Sequence, residues 1–201
     1  MEHSLLSWRK VSTELVADCK VFSVNRNHSC LENGTSDSLH SFYVLHPHNW
    51  VNVIPITPFG EIVMVEQYRH GIEHVTLEIP GGMVDPTDSS SAEAGVRELL
   101  EETGYISDDW KFIGRNHPNP AIQSNICDTY LARNVRQIEQ PSFDSSGTEL
   151  ISLRLVPLDR IPELIKEGVI THALVIVAFH LLQLHEFGTA LYCSRQTSGA
   201  K

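Results

Sequence analysis

The sequence predicts an α/β domain in which a mixed β-sheet lies between helices, preceded by a small antiparallel sheet. The first stretch, roughly Lys10 to His46, alternates apolar and polar residues as half-buried strands do. The rest runs in the order strands, helix, strands, helices, which is typical of a mixed sheet covered by helices. The length of 201 residues fits one large domain, or one domain with a small appendage.

The N-terminal stretch is predicted to form the small antiparallel sheet. Its alternating segments read VSTELV, KVFSVNR and HSFYVLH, and Asn33-Gly34 between the last two is a strong turn signal. We therefore assign residues 1–48 to an N-terminal sheet region and residues 49–187 to the main domain. Residues 188–201 have little pattern and are expected to form a flexible tail.

The main domain is predicted to begin with three strands. Val51–Thr57 and Glu61–Tyr68 flank Pro58-Phe59-Gly60, which indicates a compact hairpin. The third strand, His74–Pro80, ends at a loop formed by Gly81-Gly82, where main-chain groups can approach a metal ion or a phosphate closely. Later strand-like segments are Trp110–His117, Ile126–Val135 and Leu150–Leu158.

Three segments have helical character. Ser91–Thr103 has apolar positions at intervals of three and four residues, which is one stripe of an amphipathic helix. The other two segments are Arg160–Glu167 and Ala173–Glu186. Gly168 is expected to end the earlier helix, and Thr171 is the expected N-cap of the later one.

The formal net charge of −10 argues against a nucleic-acid-binding surface, which normally needs a basic patch. An acidic chain acting on a phosphate ester would repel its substrate, and a divalent cation held by carboxylates would remove that repulsion.

Cysteine usage and hydropathy predict a reduced, cytoplasmic protein. The four cysteines contain no CxxC pair, which argues against a structural zinc site and a disulfide-stapled domain. The N-terminal MEHSLLSWRK lacks the apolar run of a signal peptide. The longest apolar run, Ala173–Leu184, is too short to span a bilayer, so no membrane contact is expected.

The segment AGVRELLEETGY, Ala94 to Tyr105, places Glu98, Glu101 and Glu102 on one face of the first predicted helix. Taken alone, such an acidic face is more often simply solvated. The like charges would cost the helix about 0.2–0.5 kcal/mol per pair, and a divalent cation would reverse that cost. Arg97 lies four residues before Glu101 and can orient its carboxylate by a hydrogen bond, without itself binding the metal.

The surroundings of this acidic face form a longer pattern. Gly82 to Tyr105, GMVDPTDSSSAEAGVRELLEETGY, resembles the Nudix box G-x5-E-x7-R-E-U-x-E-E-x-G-U, where U is aliphatic or aromatic. Asp88 replaces the first glutamate of the box, and one extra residue precedes Arg97, within Ser89-Ser90-Ser91. The matching residues are Gly82, Arg97, Glu98, Leu99, Glu101, Glu102, Gly104 and Tyr105.

Roughly residues 10 to 187 are similar to the ADP-ribose pyrophosphatase branch of the Nudix hydrolases. The resemblance implies the Nudix fold, and it implies a homodimer built with the help of the N-terminal sheet. It also implies Mg²⁺ as cofactor, with Mn²⁺ as an alternative.

The resemblance also implies roles for residues of the box. Glu98 and Glu102 match carboxylates that ligate the metal, and the carbonyl of Gly81 matches a main-chain ligand. Glu101 matches a carboxylate that either ligates the metal directly or orients it through a bound water. Glu101 and Glu102 are therefore assigned to catalysis as well, with Arg97 beside them.

Outside the box, Arg69 matches an arginine that contacts substrate, and Glu78 matches an acidic residue beside it. A surface ion pair is the alternative for Arg69. The resemblance places the general base in the loop FDSSGTEL, with Glu149 as first candidate and Asp144 as second.

Eleven histidines raise the question of a second metal site. We assign His172, His180 and His185, in or beside the last predicted helix, to packing. His117 is assigned to a turn because Pro118 and Pro120 follow it, with a place on the pocket lining as the alternative.

The function predicted from the resemblance is Mg²⁺-dependent hydrolysis of ADP-ribose, or a related nucleoside diphosphate sugar, to AMP and a sugar phosphate. Within the enzyme class, the alternatives are another NDP-sugar, a dinucleoside polyphosphate or a coenzyme A derivative. From a different class, the alternative is a sensor that binds ADP-ribose without cutting it. Such sensors usually lose box carboxylates, whereas this chain keeps Glu98, Glu101 and Glu102.

Overall fold

The computed structural model describes residues 7–32, 39–142 and 150–188. The predicted Asn33-Gly34 turn, the base candidates Glu149 and Asp144, and residues 189–201 of the expected tail lie outside these ranges. The chain divides into two compact units, one of Met1–Asn49 with His117–Ile126 and one of Trp50–Asn116 with Cys127–Lys201.

The first unit contains a three-stranded antiparallel sheet in the order β1-β2-β3, with strands Trp8–Asp18, Phe22–Leu31 and His40–Pro47. The predicted N-terminal sheet is therefore confirmed. Within this unit the main chain of Leu45 pairs with the 117–126 segment, since its N–H donates to the Ile122 carbonyl at 2.8 Å.

The second unit contains the remaining elements. They are β4 Trp50–Ile56, β5 Glu61–Arg69, β6 His74–Glu78, β7 Gly81–Met83, α1 Ser91–Thr103, β8 Tyr105–Ile106, β9 Asp109–Asn116, β10 Cys127–Arg133, β11 Arg136–Gln137, β12 Ile151–Pro157, a 3₁₀ turn at Leu158–Arg160, α2 Ile161–Lys166 and α3 Ala173–Phe187. The predicted strands and helices are all present, with ends displaced by at most a few residues. The expected glycine loop is different, because Gly81 and Gly82 lie in the short strand β7.

The main sheet is mixed. Its strand order is β12-β5-β4-β10-β9, with β6 paired to β5 and β7 paired to β4. Strand β10 runs parallel to β4, and the other neighbouring pairs are antiparallel. The mixed α/β fold with a separate small antiparallel sheet is therefore confirmed.

The alternation of side chains along the central strands covers both faces of this sheet. On one face, Val53 and Val63 pack with Leu99 of α1. On the other face, a larger cluster that includes Ile54 packs with Phe179 of α3. The sheet therefore lies between α1 and the two later helices, and α1 is held in place by its buried apolar stripe.

Both ends of α1 are capped. The Ser90 side chain accepts a hydrogen bond from the Glu93 N–H at 3.2 Å, which satisfies one of the free amides of the first turn. Gly104 has the left-handed φ of 73°, and its N–H donates to the Leu100 carbonyl at 2.7 Å. The predicted end of the helix at Gly104 is confirmed, since glycine adopts this conformation without steric cost.

A buried carboxylate ties the start of α1 to the sheet. Asp128 on β10 accepts a hydrogen bond from the Ser91 hydroxyl at 2.6 Å. Arg115 on β9 binds the same carboxylate through two bonds, Nε to Oδ1 at 2.6 Å and Nη2 to Oδ2 at 2.9 Å. Burial opposes the ionisation of Asp128, but these partners outweigh it and hold the pKa of the carboxyl below its ordinary value.

The start of α3 differs from the prediction. The N-cap is His172 and not Thr171, because the helix begins at Ala173 and the N-cap is the residue directly before it. The His172 side chain makes no capping hydrogen bond. Asn52 of β4 holds this end of the helix, since its side-chain Nδ2 donates to the Leu174 carbonyl at 3.4 Å.

No helix within the described ranges is long and apolar enough to cross a membrane.

Candidate active site

A cleft of about 590 Å³ opens in the second unit, and its size suits a nucleotide-sized ligand. Its walls come from β4, the β5–β6 hairpin, the β7 glycines with α1, and the start of α3. The lining residues are Trp50, Val51, Asn52, Gln67, Arg69, Gly71, Ile72, Glu78, Ile79, Gly81, Gly82, Met83, Asp85, Glu98, Glu102, His172 and Leu174.

Two of the three predicted metal carboxylates line this cleft. Glu98 and Glu102 are both largely buried, since the Glu98 side chain is 14% exposed and the whole of Glu102 is 8% exposed. Glu101 is outside the lining, and its half-exposed side chain accepts a hydrogen bond from Arg97 Nη1 at 3.1 Å. The helix therefore directs two carboxylates into the cleft and the third towards Arg97.

Strand β7 fits closely against these carboxylates. The Gly81 N–H donates to Glu102 Oε2 at 3.0 Å. A Cβ atom placed on Gly82 would lie 2.3 Å from Glu98 Oε1, and one placed on Gly81 would lie 2.3 Å from the Val51 carbonyl. The missing side chain of Gly82 thus leaves the space in which the Glu98 carboxylate lies, and the main chain of Gly81 binds Glu102.

Arg97 connects the parts of this wall. Its guanidinium donates to Glu98 at 2.9 Å, to the Met83 carbonyl at 3.0 Å and to Asp88 through two bonds of 3.3 and 3.0 Å. The hydrogen bonds of Asp88, together with the carboxylates of Glu98 and Glu101, raise the pKa of Arg97 above its ordinary value. Arg97 remains fully charged and fixes the positions of its acidic neighbours.

Asp88 reaches Arg97 although it replaces a glutamate in the motif and an extra residue follows it. The hydrogen bonds from Arg97 hold the pKa of Asp88 below its usual value, so the carboxylate is ionised at neutral pH. Its Oδ2 also accepts the Asp85 N–H at 2.8 Å, which closes the turn before α1. The shorter side chain and the longer loop therefore still provide a carboxylate for Arg97.

Arg69 and Glu78, which also line the cleft, form a two-bond ion pair. Nε donates to Oε1 at 2.8 Å and Nη2 donates to Oε2 at 2.7 Å, and Thr76 also donates to Oε1. Burial opposes the ionisation of Glu78, yet the bonds and charge of Arg69 outweigh it and hold the pKa of this carboxyl below its ordinary value. The pair places a rigid guanidinium, 40% exposed, on the cleft wall.

The oxygen donors on this wall provide part of a coordination shell for a metal ion. Among the described residues, no group of three or more His, Cys, Asp or Glu side chains converges as a ready metal cluster. Glu98 and Glu102 nevertheless share the cleft with the main chain of Gly81 and Gly82. A hard divalent cation such as Mg²⁺ prefers oxygen ligands and is commonly held by one or two carboxylates, with substrate and water completing the shell. The donor set fits such an ion.

His172 is a cleft residue for which the sequence predicts no role at the site. The sequence predicts a packing role for it, and in the structure this half-buried residue also lines the cleft, near Arg69 and Glu78. The sequence next to His172 carries no signal of this position, because the position depends on the packing of α3 against β4.

Comparison with known proteins agrees with this geometry. A family model described as the NUDIX domain matches residues 46–179, which is more than half of the chain. The chain is 30% identical over 182 residues to the methanol dehydrogenase activator of Bacillus methanolicus, a match that covers 90% of this chain and 96% of that protein.

Two further similarities extend along most of the chain. The ADP-ribose pyrophosphatase of Bacillus subtilis (strain 168) is 27% identical over 181 residues, covering 90% of this chain and 95% of that protein. A crystal structure of an ADP compounds hydrolase superposes with a TM-score of 0.77 at 24% identity, covering 92% of this chain and 98% of the other. The structural similarity shows that the fold is shared.

Proposed function

The chain belongs to the Nudix family of hydrolases, and we propose that it hydrolyses ADP-ribose, or a related ADP-sugar, to AMP and a sugar phosphate. The observation that carries this proposal is that Glu98 and Glu102 share one cleft with the Arg69–Glu78 pair. A carboxylate wall that fits Mg²⁺ and a guanidinium that fits phosphate are the two requirements of a diphosphate site. Similarity to ADP-ribose pyrophosphatases along most of the chain supports the choice of substrate.

Mg²⁺, or Mn²⁺ in its place, would neutralise charge on the diphosphate and lower the pKa of the attacking water. Glu98 and Glu102 would hold the ion, with the Gly81 carbonyl as a main-chain ligand. Glu101 would support the site from outside the cleft, because it binds the same guanidinium of Arg97 that positions Glu98. Arg97 would therefore orient the metal-binding carboxylate of Glu98 without contacting the substrate.

Arg69 would bind and orient the diphosphate. Two of its N–H groups are held by Glu78, so the guanidinium plane is fixed before substrate arrives. A fixed planar cation loses little conformational entropy on binding phosphate oxygens. Glu78 positions Arg69 and is itself buried.

A general base is needed to take a proton from the attacking water. We propose Glu149 for this role, with Asp144 as the second candidate, on the resemblance of the 143–150 segment to the base-bearing loop of the family.

We also propose that the enzyme is a cytoplasmic homodimer assembled through residues 1–48, followed by a catalytic domain at 49–187. The N-terminal sheet supports this, because it exposes the large apolar side chains of Trp8, Val11, Leu15, Phe42 and Tyr43. Exposed apolar surface of this kind is typical of a protein contact. Sedimentation equilibrium of the whole chain tests it, and a monomer at micromolar concentration would contradict it.

A substrate panel tests the catalytic proposal. ADP-ribose, another NDP-sugar, a dinucleoside polyphosphate and coenzyme A are incubated with Mg²⁺ or with excess EDTA, and the nucleotide products are separated. We expect AMP from ADP-ribose at the highest kcat/KM and no turnover in EDTA. Preferred cleavage of another compound would overturn the choice of substrate. Tight binding of ADP-ribose without turnover of any compound would indicate a sensor.

A further inference from the structure

His172 occupies a position on the cleft wall that the proposed chemistry does not use. It is the N-cap of α3, with extended backbone angles of φ −65° and ψ 117° and no capping bond from its side chain. The bond from Asn52 to the Leu174 carbonyl fixes this end of the helix against β4. The main chain of His172 is therefore fixed beside the cleft that this residue lines.

The two ring nitrogens of His172 have different surroundings. Nδ1 is buried and has no hydrogen-bond partner among the described residues. His172 lines the cleft. Since Nδ1 is buried, we infer that Nε2 is the ring nitrogen that a ligand reaches. A buried N–H without an acceptor is rarer and more costly than a buried acceptor without a donor. The surroundings therefore favour the tautomer that carries its proton on Nε2.

The charge state of the ring agrees with a role as a neutral donor. Burial lowers the pKa of His172, and the nearby positive charge of Arg69 lowers it further, while the charge of Glu78 acts in the opposite direction. The net pKa lies below the ordinary value, so the ring is uncharged at neutral pH. An uncharged donor suits an uncharged oxygen, whereas phosphate is better matched by the guanidinium of Arg69.

We propose that His172 is a specificity-determining residue that donates a hydrogen bond through Nε2 to a sugar hydroxyl of the substrate. The inference rests on the proposed function, because it takes the ligand to be a nucleoside diphosphate sugar. A site that hydrogen-bonds a hydroxyl discriminates against analogues that lack it, since the donor is then left unpaired. The hydroxyl belongs either to the nucleoside ribose or to the second sugar.

Binding measured by calorimetry without added metal tests the contact separately from turnover. The probes are ADP-ribose, ADP, and ADP that lacks the 2′- and 3′-hydroxyls. His172→Leu is expected to weaken ADP-ribose binding by about three- to tenfold, the effect of one neutral hydrogen bond. Unchanged ADP binding places the contact on the second sugar. Weakened ADP binding, with the dideoxy probe unaffected, places it on the nucleoside ribose.

Two polar variants show which ring nitrogen of His172 contacts the substrate. His172→Gln carries a polar atom near the place of Nε2 and is expected to bind ADP-ribose within about twofold of wild type. His172→Asn carries its polar atoms near the place of Nδ1 and is expected to behave as His172→Leu. His185→Leu, in the last turn of α3, is the matched control and should leave binding unchanged.

Three results would overturn the proposal. His172→Leu could leave ADP-ribose binding unchanged, it could weaken all three probes equally, or His172→Asn could bind better than His172→Gln. Equal weakening would mean a contact to the base or the phosphates. Failure of the proposed function gives a different result, namely no turnover by wild-type protein with Mg²⁺, whatever the binding data show.

Discussion

The main-chain N–H of Gly81 donates a hydrogen bond of 3.0 Å to the carboxylate of Glu102. This bond joins strand β7 to the acidic face of α1, and Glu98 lies over Gly82 one residue further along. The two glycines therefore determine where both cleft carboxylates lie, and their substitution should affect the protein in different ways.

Gly82→Ala is expected to lower kcat by about a hundredfold with little loss of stability. The added Cβ would displace the Glu98 carboxylate, which is the movable end of a side chain. Gly81→Ala is the matched comparison, and it should also lower the melting temperature because its Cβ would meet the main-chain carbonyl of Val51. Kinetics and thermal unfolding of both variants provide the check, and normal turnover by Gly82→Ala would contradict the placement of Glu98.

Asp88→Asn is expected to lower kcat by about tenfold, because Arg97 loses the charged partner that fixes its orientation towards Glu98. KM for ADP-ribose should change little, since Asp88 is not part of the cleft lining. Arg154→Ala, which removes a surface ion pair with Glu66, is the control and should leave kcat unchanged. An equal loss of kcat in Asp88→Asn and Arg154→Ala would contradict the role of Arg97 in positioning Glu98.

Arg69→Lys is expected to raise the KM for ADP-ribose by about tenfold while kcat falls less. Lysine keeps the charge but cannot form the two-bond pair with Glu78, so the cation is no longer held in one plane. Steady-state kinetics separate the two constants. An unchanged KM would mean that Arg69 pairs with Glu78 for structural reasons alone.

Asp128→Asn is expected to lower the free energy of unfolding by about 1–3 kcal/mol at neutral pH. The folded-state pKa of Asp128 lies below its unfolded value, so its contribution is present above the unfolded pKa and is lost as the pH falls through the folded one. Denaturant melts should therefore show the difference between variant and wild type shrinking below about pH 4. A pH-independent difference would contradict a role for the ionised carboxylate.

Much of the fold and part of the site could be predicted from local sequence. The spacing of Glu98 and Glu102 requires only a helix, and the helix is indicated by its apolar stripe and by Gly104. Strand β7 was missed because three residues, Gly81 to Met83, are too few to show an alternation. Thr171 was wrongly assigned as N-cap because a helix start from sequence is uncertain by a residue or more.

Contacts between distant parts of the chain could not be predicted. His172 reaches the cleft because α3 packs against β4, more than a hundred residues earlier, and nothing in its immediate sequence records that contact. The Arg97–Glu101 hydrogen bond, by contrast, is a local contact that the four-residue spacing predicts. The spacing does not show that Glu101 lies outside the cleft lining. Helical spacing places residues on a face, and only packing decides which of them meet a ligand.

The most direct test of the account is the Mg²⁺-dependent kcat for ADP-ribose hydrolysis by Glu102→Gln, with Glu163→Gln on the exposed side of α2 as control. Glutamine keeps the size of the side chain and an oxygen for the Gly81 N–H, but it removes the charge. We predict a fall in kcat of about a hundredfold or more, with an unchanged melting temperature and normal turnover by the control. Turnover by Glu102→Gln near the wild-type rate would contradict the assignment of the helix carboxylates to the metal site.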